Sequence, residues 1–221
     1  VAQLRAVRRE ILPQPDPLTC QIIPDFDALS ITTEWSYELD EIISIPVVAN
    51  LDGVGGPEVV INLTQQDAAG FPGGRIMVLN GQTGAIVVDK IAHNPPTSYG
   101  SHGRSTIAVG DVSGDGLPDI VYAARSGTGG SFRSLIVAID GTGALLWVSH
   151  TASNPAYGIR VENAAVTLAN FDGDAAAEIV VGASLIDNDG SVLWDQGGNG
   201  LGGEVGTNSG YAGGIAAVAD L

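Results

Sequence analysis

The chain has 221 residues, 31 of them glycine and 11 proline, with 44% apolar and 15% charged residues, a composition that excludes extended disorder and suits a turn-rich, packed protein. Acidic residues outnumber basic ones 25 to 9, and the formal charge of −16 repels nucleic acid and favours bound cations. The single cysteine, Cys20, excludes an internal disulfide, and neither a leader peptide nor an apolar run long enough to span a bilayer is visible.

In chain order, residues 1–31, with Pro13, Pro15, Pro17 and Pro24, read as an irregular lead-in or linker. Residues 32–39, Thr-Thr-Glu-Trp-Ser-Tyr-Glu-Leu, read as an outer strand, with Trp35 placed ahead of a following acidic loop. That loop lies in Pro46–Ile61, between two short runs rich in Val and Ile that are too short for helices and are bounded by Gly, Asp and Pro, so both flanks are expected to be strands. Asn62-Leu63-Thr64 is a glycosylation triplet, of a kind that arises often by chance. A hairpin is expected over Ile76–Val88, turning at Asn80-Gly81.

The same order then recurs. A second acidic loop between strands occupies Ile107–Tyr122, followed by a hairpin at Leu135–Trp147; a third occupies Val166–Val181, followed by a hairpin at Leu185–Trp194. A fourth unit starts at Ile215. The loops begin at Asn50, Asp111, Asn170 and Asp220, spacings of 61, 59 and 50 residues. A fixed period of this kind marks an array of equivalent units, each here strand, acidic loop, strand, strand, turn, strand. A four-stranded meander cannot bury both faces alone, so the units are expected to stack radially as blades. The expected fold is all-β: a β-propeller of four-stranded antiparallel blades, with blade 1 at 45–98, blade 2 at 105–155, blade 3 at 163–208 and the start of blade 4 at 214–221. Residues 32–39 are expected to close the ring by pairing with the last blade.

The loops carry the chemistry. In the second, Asp111, Ser113, Asp115 and Asp119 occupy positions 1, 3, 5 and 9, and the Leu117 carbonyl stands at position 7. Hard oxygen donors without His or Cys select Ca²⁺ over zinc or copper, and a flexible loop suits its six to eight ligands. An EF-hand would need its bidentate Glu at position 12, which is Tyr122 here. The third loop offers Asn170, Asp172, Asp174 and Glu178 at the same positions, with Ala176 at position 7. The first offers Asn50, Asp52 and Glu58 but has Val54 at position 5, so two calcium sites and a weaker third are expected. Asp187-Asn-Asp-Gly190 occupies a hairpin position and reads as a turn.

These residues resemble the FG-GAP or VCBS repeat family, found in integrin α-subunit propellers and in bacterial surface and secreted proteins. The most specific part is Asp111-x-Ser113-x-Asp115-Gly116-x-x-Asp119 followed by Ile-Val. Tyr99-Gly100 and Tyr157-Gly158 stand roughly where the family has Phe-Gly, and Gly182-Ala183-Ser184 replaces Gly-Ala-Pro, departures from the integrin type, while the turn-and-Trp pattern ending at Trp147 and Trp194 is more similar to bacterial members. The resemblance implies a surface or secreted, calcium-stabilised module that mediates adhesion or binds a protein or glycan. It leaves open a non-catalytic portion of a propeller enzyme, such as a polysaccharide lyase or a quinoprotein-like dehydrogenase, and an architectural subunit that self-associates. His93, His102 and His150 fall in loops without a nucleophile or repeated acid partner, so no catalytic residue is expected. The Gly-rich loops at 94–104, 153–160 and 197–211 are the candidate recognition surfaces, although each reads first as a solvated connection with a packing aromatic.

Overall fold

The computed structural model describes residues 32–38, 41–66, 72–90, 100–124, 134–159, 165–195, 207–208, 211–212 and 215–218. The chain divides into two compact units, Val1–Trp35 and Ser36–Leu221. The lead-in at 1–31 lies outside the described residues, and 32–38 carry no strand.

Among the described residues every regular element is a strand, and the strands pair antiparallel, with one isolated parallel bridge between His150 and Ser191. In chain order they are β1 (Glu41–Ile42), β2 (Val47–Ala49), β3 (Glu58–Gln66), β4 (Pro72–Asn80), β5 (Ile86–Lys90), β6 (Ser101–His102), β7 (Ala108–Gly110), β8 (Asp119–Ala124), β9 (Leu135–Ile139), β10 (Leu145–Val148), β11 (Val166–Ala169), β12 (Glu178–Val181), β13 (Ser184–Ile186), β14 (Val192–Asp195), β15 (Thr207–Asn208) and β16 (Tyr211–Ala212). Three meanders of the same order emerge: β2-β3-β4-β5, β7-β8-β9-β10 and β11-β12-β13-β14. In each, the acidic loop joins the first two strands and the hairpin joins the last two. The pairing of the last two strands carries a register shift in all three, at Val78/Leu79, Leu145/Trp147 and Leu185/Ile186.

The middle meander explains the long apolar runs of its sequence. Along β8 and β9, Ile120, Tyr122, Ala124, Leu135, Val137 and Ile139 face one way and pack with Leu51, Val60, Ile76, Val78 and Val88 of the first meander. Alternate residues Val121, Ala123, Ile136 and Ala138 face the other way and pack with Val166, Ile179, Val181 and Ile186 of the third. A strand buried on both faces loses the apolar–polar alternation, which is why Ile120–Ala124 reads as an unbroken hydrophobic run. Burying a Val, Leu or Ile fully stabilises by about 1.5–3 kcal/mol each, so the two interlayer cores carry much of the fold.

A short segment after the fourth strand joins neighbouring meanders, and it recurs: Ile159, next to Gly158, bridges antiparallel to Ser134 ahead of β9 much as Ser101 pairs with β4. β6 pairs with β4 and with β8, stitching the first two meanders, with β1 along β3, into a ten-stranded sheet. Asn62, 1% exposed, anchors this stitch: its Nδ2 donates to the carbonyls of His102 and Ser105, and its Oδ1 accepts from Ser101 Oγ. Thr64 Oγ1 donates to the Gly103 carbonyl at 2.8 Å. Gly74 permits the close approach, since a Cβ there would collide with the Leu63 carbonyl and lie 2.8 Å from Ser101 Oγ. The glycosylation triplet is therefore core.

Candidate functional site

The acidic loops lie at one end of their meanders and share a frame. In each, the position-9 acid begins a strand and is nearly buried: Glu58, Asp119 and Glu178. One of its oxygens accepts from the backbone N–H of position 2, Leu51 at 2.9 Å, Val112 at 3.0 Å and Phe171 at 2.6 Å. This bond closes the loop with protein atoms alone. In loops two and three, the N–H of position 7 (Leu117, Ala176) also donates to the position-5 carboxylate (Asp115, Asp174), both at 2.8 Å. Gly116, at φ 88°, supplies the left-handed turn that a side chain would resist.

The loops differ in what remains free. In the third, Asp172, Asp174 and Glu178 each bring a carboxylate oxygen within 4.8 Å of the others. Glu178 is 2% exposed and its Oε1 has no hydrogen-bond partner. A buried, unpartnered carboxylate oxygen is costly, and a cation removes the cost. Asn170 Oδ1 accepts from Gly173 N–H, its Nδ2 donates to the Asp174 carbonyl, and Asn188 Nδ2 reaches Asp174 Oδ2 at 3.1 Å. Asn188 belongs to the Asp187–Gly190 hairpin turn, where Gly190 N–H donates to the Asp187 carbonyl and Ser191 to Asp189 Oδ1. Sequence spacing had no means to join Asn188 to the loop, because the two lie on different connections of the meander.

In the second loop Asp111 is turned onto its own backbone: Oδ1 accepts from Gly114 N–H at 2.6 Å and Oδ2 from Gly116 N–H at 2.8 Å. Asp119 Oδ2 accepts from Val112 and Ser113, yet burial outweighs these bonds and, helped by the Asp115 charge, holds the Asp119 carboxyl above the ordinary range. Ser113, Asp115 and Leu117 are exposed around it. In the first loop, Asn50 Oδ1 is buried without a partner, Asp52 accepts from Val54 N–H, and Val54 is 66% exposed where the other loops hold a carboxylate.

Other residues singled out by sequence have structural places. Tyr157 Oη donates to Asp195 Oδ2 at 3.0 Å and its ring packs on the core between the second and third meanders. His102 is buried in the β6 stitch, and His150 Nδ1 lies 3.2 Å from the Val148 carbonyl. Of the loops expected to recognise a partner, only parts are among the described residues.

Residues 103–137 match the FG-GAP repeat family. The FG-GAP repeat thus covers the second loop, β7, β8 and the start of β9, the segment holding Asp111, Ser113, Asp115, Leu117 and Asp119. No curated protein matches the chain in sequence. Among solved structures it is similar to the exotype rhamnogalacturonan lyase YesX, with 23% identity, TM-score 0.46, and 69% of this chain against 30% of that one. It is also similar to the rhamnogalacturonan lyase YesW (19%, 0.45, 69% and 31%) and to the V. cholerae biofilm matrix protein Bap1 (20%, 0.24, 77% and 29%). The chain spans under a third of each of these proteins.

Proposed function

We propose that the chain is part of a β-propeller whose FG-GAP-type loops bind Ca²⁺, and that it serves as a non-catalytic module of a secreted or surface protein that binds a protein or glycan. The observation that carries the calcium reading is the buried, unpartnered Glu178 Oε1 beside Asp172 and Asp174. Three carboxylates and a carbonyl donor set match the oxygen coordination of a hard cation, and the same frame recurs in loops one and two. Loop two would use Asp111, Ser113, Asp115, Asp119 and the Leu117 carbonyl. Loop three would use Asn170, Asp172, Asp174, Glu178 and the Ala176 carbonyl, and loop one Asn50, Asp52 and Glu58.

Radial stacking is supported by a contact between successive meanders. Trp147 lies against the hairpin turn of the next meander, where a Cβ on Gly190 would stand 2.9 Å from its ring. Trp194 holds the equivalent place on the third meander and is 44% exposed. Thr167 Oγ1 meanwhile lies 3.4 Å from the Ala216 carbonyl, in the segment expected to begin blade 4. A further blade against Trp194 completes the pattern. Loops of moderate affinity fill where calcium is abundant, which favours an extracellular setting.

The deciding experiment is thermal unfolding in calcium and in chelator. At a hundredfold excess over the dissociation constant, one site adds about 2.7 kcal/mol, or roughly 5–10 °C. The reading requires that rise in the wild type and a smaller one in Asp115→Ala and Asp174→Ala; identical melts with and without calcium would sink it.

A further inference from the structure

Resting on the calcium reading above, we infer that loops two and three do not fill independently: the N–H of Ala177 couples them by holding Asp111, a ligand of loop two, to the segment that carries the last ligands of loop three. Ala177 N–H donates to the Asp111 carbonyl at 3.0 Å. Ala177 is position 8 of loop three, flanked by Ala176, whose carbonyl is a candidate ligand, and by Glu178, whose buried Oε1 has no hydrogen-bond partner. The loops also touch at the next residues, since a Cβ at Gly114 would lie 3.8 Å from the Ala176 Cβ.

The link is specific to this pair. Position 8 is Pro57 in loop one and Pro118 in loop two, and proline has no N–H to give. Loop two therefore cannot make the equivalent bond to the Asn50 carbonyl, although the two loops approach as closely: a Cβ at Gly53 would lie 3.1 Å from Leu117 Cδ2. Ala177 is thus a positioning residue, and the same comparison shows that the loop frame accepts proline in its place.

The order of filling follows from the geometry. Loop three has Asp172, Asp174 and Glu178 gathered within 4.8 Å of one another, whereas among the described residues the acids of loop two form no such group, and Asp111 is held by Gly114 and Gly116 N–H. An ion in loop three fixes Ala176–Glu178 and, through Ala177, the backbone of Asp111. The ordering cost of loop two is then partly met before its own ion arrives, which is positive coupling.

Calcium titration by calorimetry tests this with the isosteric variants Glu178→Gln and Asp119→Asn, and with Ala177→Pro. Glu178→Gln is expected to weaken binding at loop two at least about fivefold, and Asp119→Asn to weaken loop three by the same factor, because coupling is reciprocal. In the Ala177→Pro background both loops still bind, but each single-site variant leaves the other loop unchanged. The coupling is overturned if Glu178→Gln and Asp119→Asn have no mutual effect in the wild type, or if the effect persists with Ala177→Pro. Should Ala177→Pro fail to fold, the reciprocal pair alone decides. A wild type that takes up no calcium rejects the calcium reading itself, a result distinct from two sites that fill independently.

Discussion

The third and first acidic loops share a backbone and differ in their chemistry. Both are closed by a position-2 N–H bonded to a buried position-9 glutamate, Phe171 to Glu178 and Leu51 to Glu58. In loop three the side chains converge and leave a carboxylate oxygen unpaired; in loop one the unpaired buried atom is the neutral Asn50 Oδ1, and Val54 stands exposed where Asp174 sits in the other. The lesson is that closure and ion binding are separable duties of one residue. The glutamate shapes the loop with one oxygen, and the remaining donors decide whether a cation is drawn in.

The largest effect should come from separating those duties at Glu178. Glu178→Ala strips the acceptor from Phe171 N–H and, by urea denaturation in chelator, is expected to cost about 1–3 kcal/mol. Glu178→Gln keeps a carbonyl for that N–H, so it should unfold near the wild type in chelator and lose only the increment that calcium adds. If the two variants behave alike in chelator, the closing bond contributes nothing and the comparison fails.

A smaller effect should arise from converting loop one. Val54→Asp supplies the missing position-5 carboxylate at an exposed site, and about a tenfold gain in calcium affinity there corresponds to about 1.4 kcal/mol. Calorimetry would register it as a tightened weak site. An unchanged isotherm would mean that the missing position-5 carboxylate is not what limits the loop.

The smallest effect separates two acids of the middle meander by pH. Asp140 sits in the hairpin turn, where burial works against its charge but bonds from Thr142 Oγ1 and the N–H groups of Ala144, Thr142 and Gly143 prevail and hold its carboxyl below the ordinary range. Its contribution is present above the unfolded value of about 3.9 and is lost as pH falls through the lower folded value. Asp119 is raised by burial, so its contribution in chelator is present below that value and is lost as pH rises through the folded one. Denaturation in chelator should show Asp140→Asn destabilising at pH 7 with an effect that fades in acid, and Asp119→Asn showing no such loss at pH 7 until calcium is added.

Much of this was legible in the sequence because the repeat carries it. The spacing of Asn50, Asp111 and Asn170 located the loops, and the Asn-Gly, Asp-Gly and Asp-Asn-Asp-Gly turns located the last hairpin of each meander. Periodicity cannot announce a side chain that occurs once. β6 is two residues long and Ile159 holds its place in the second repeat, but its anchor Asn62, 39 residues from Ser101, stands where the later repeats have Ala123 and Gly182. The Ala177 bond was hidden for the opposite reason: it lies inside the repeat, at the one position where a residue able to donate replaces proline. Asn188 was read as a turn residue, which it is, but its amide also reaches Asp174.

The Asn62-Leu63-Thr64 triplet gains a different meaning from its place in the β6 stitch. A glycosyltransferase needs the Asn62 amide and the Thr64 hydroxyl accessible on an extended segment, and in the folded protein both are committed to the carbonyls of residues 102–105. The acceptor exists only in a chain that has not yet closed this seam. In a cell that reads the triplet, sugar attachment and folding compete for the same atoms, so a carbohydrate at Asn62 would mark molecules whose first two meanders had failed to join.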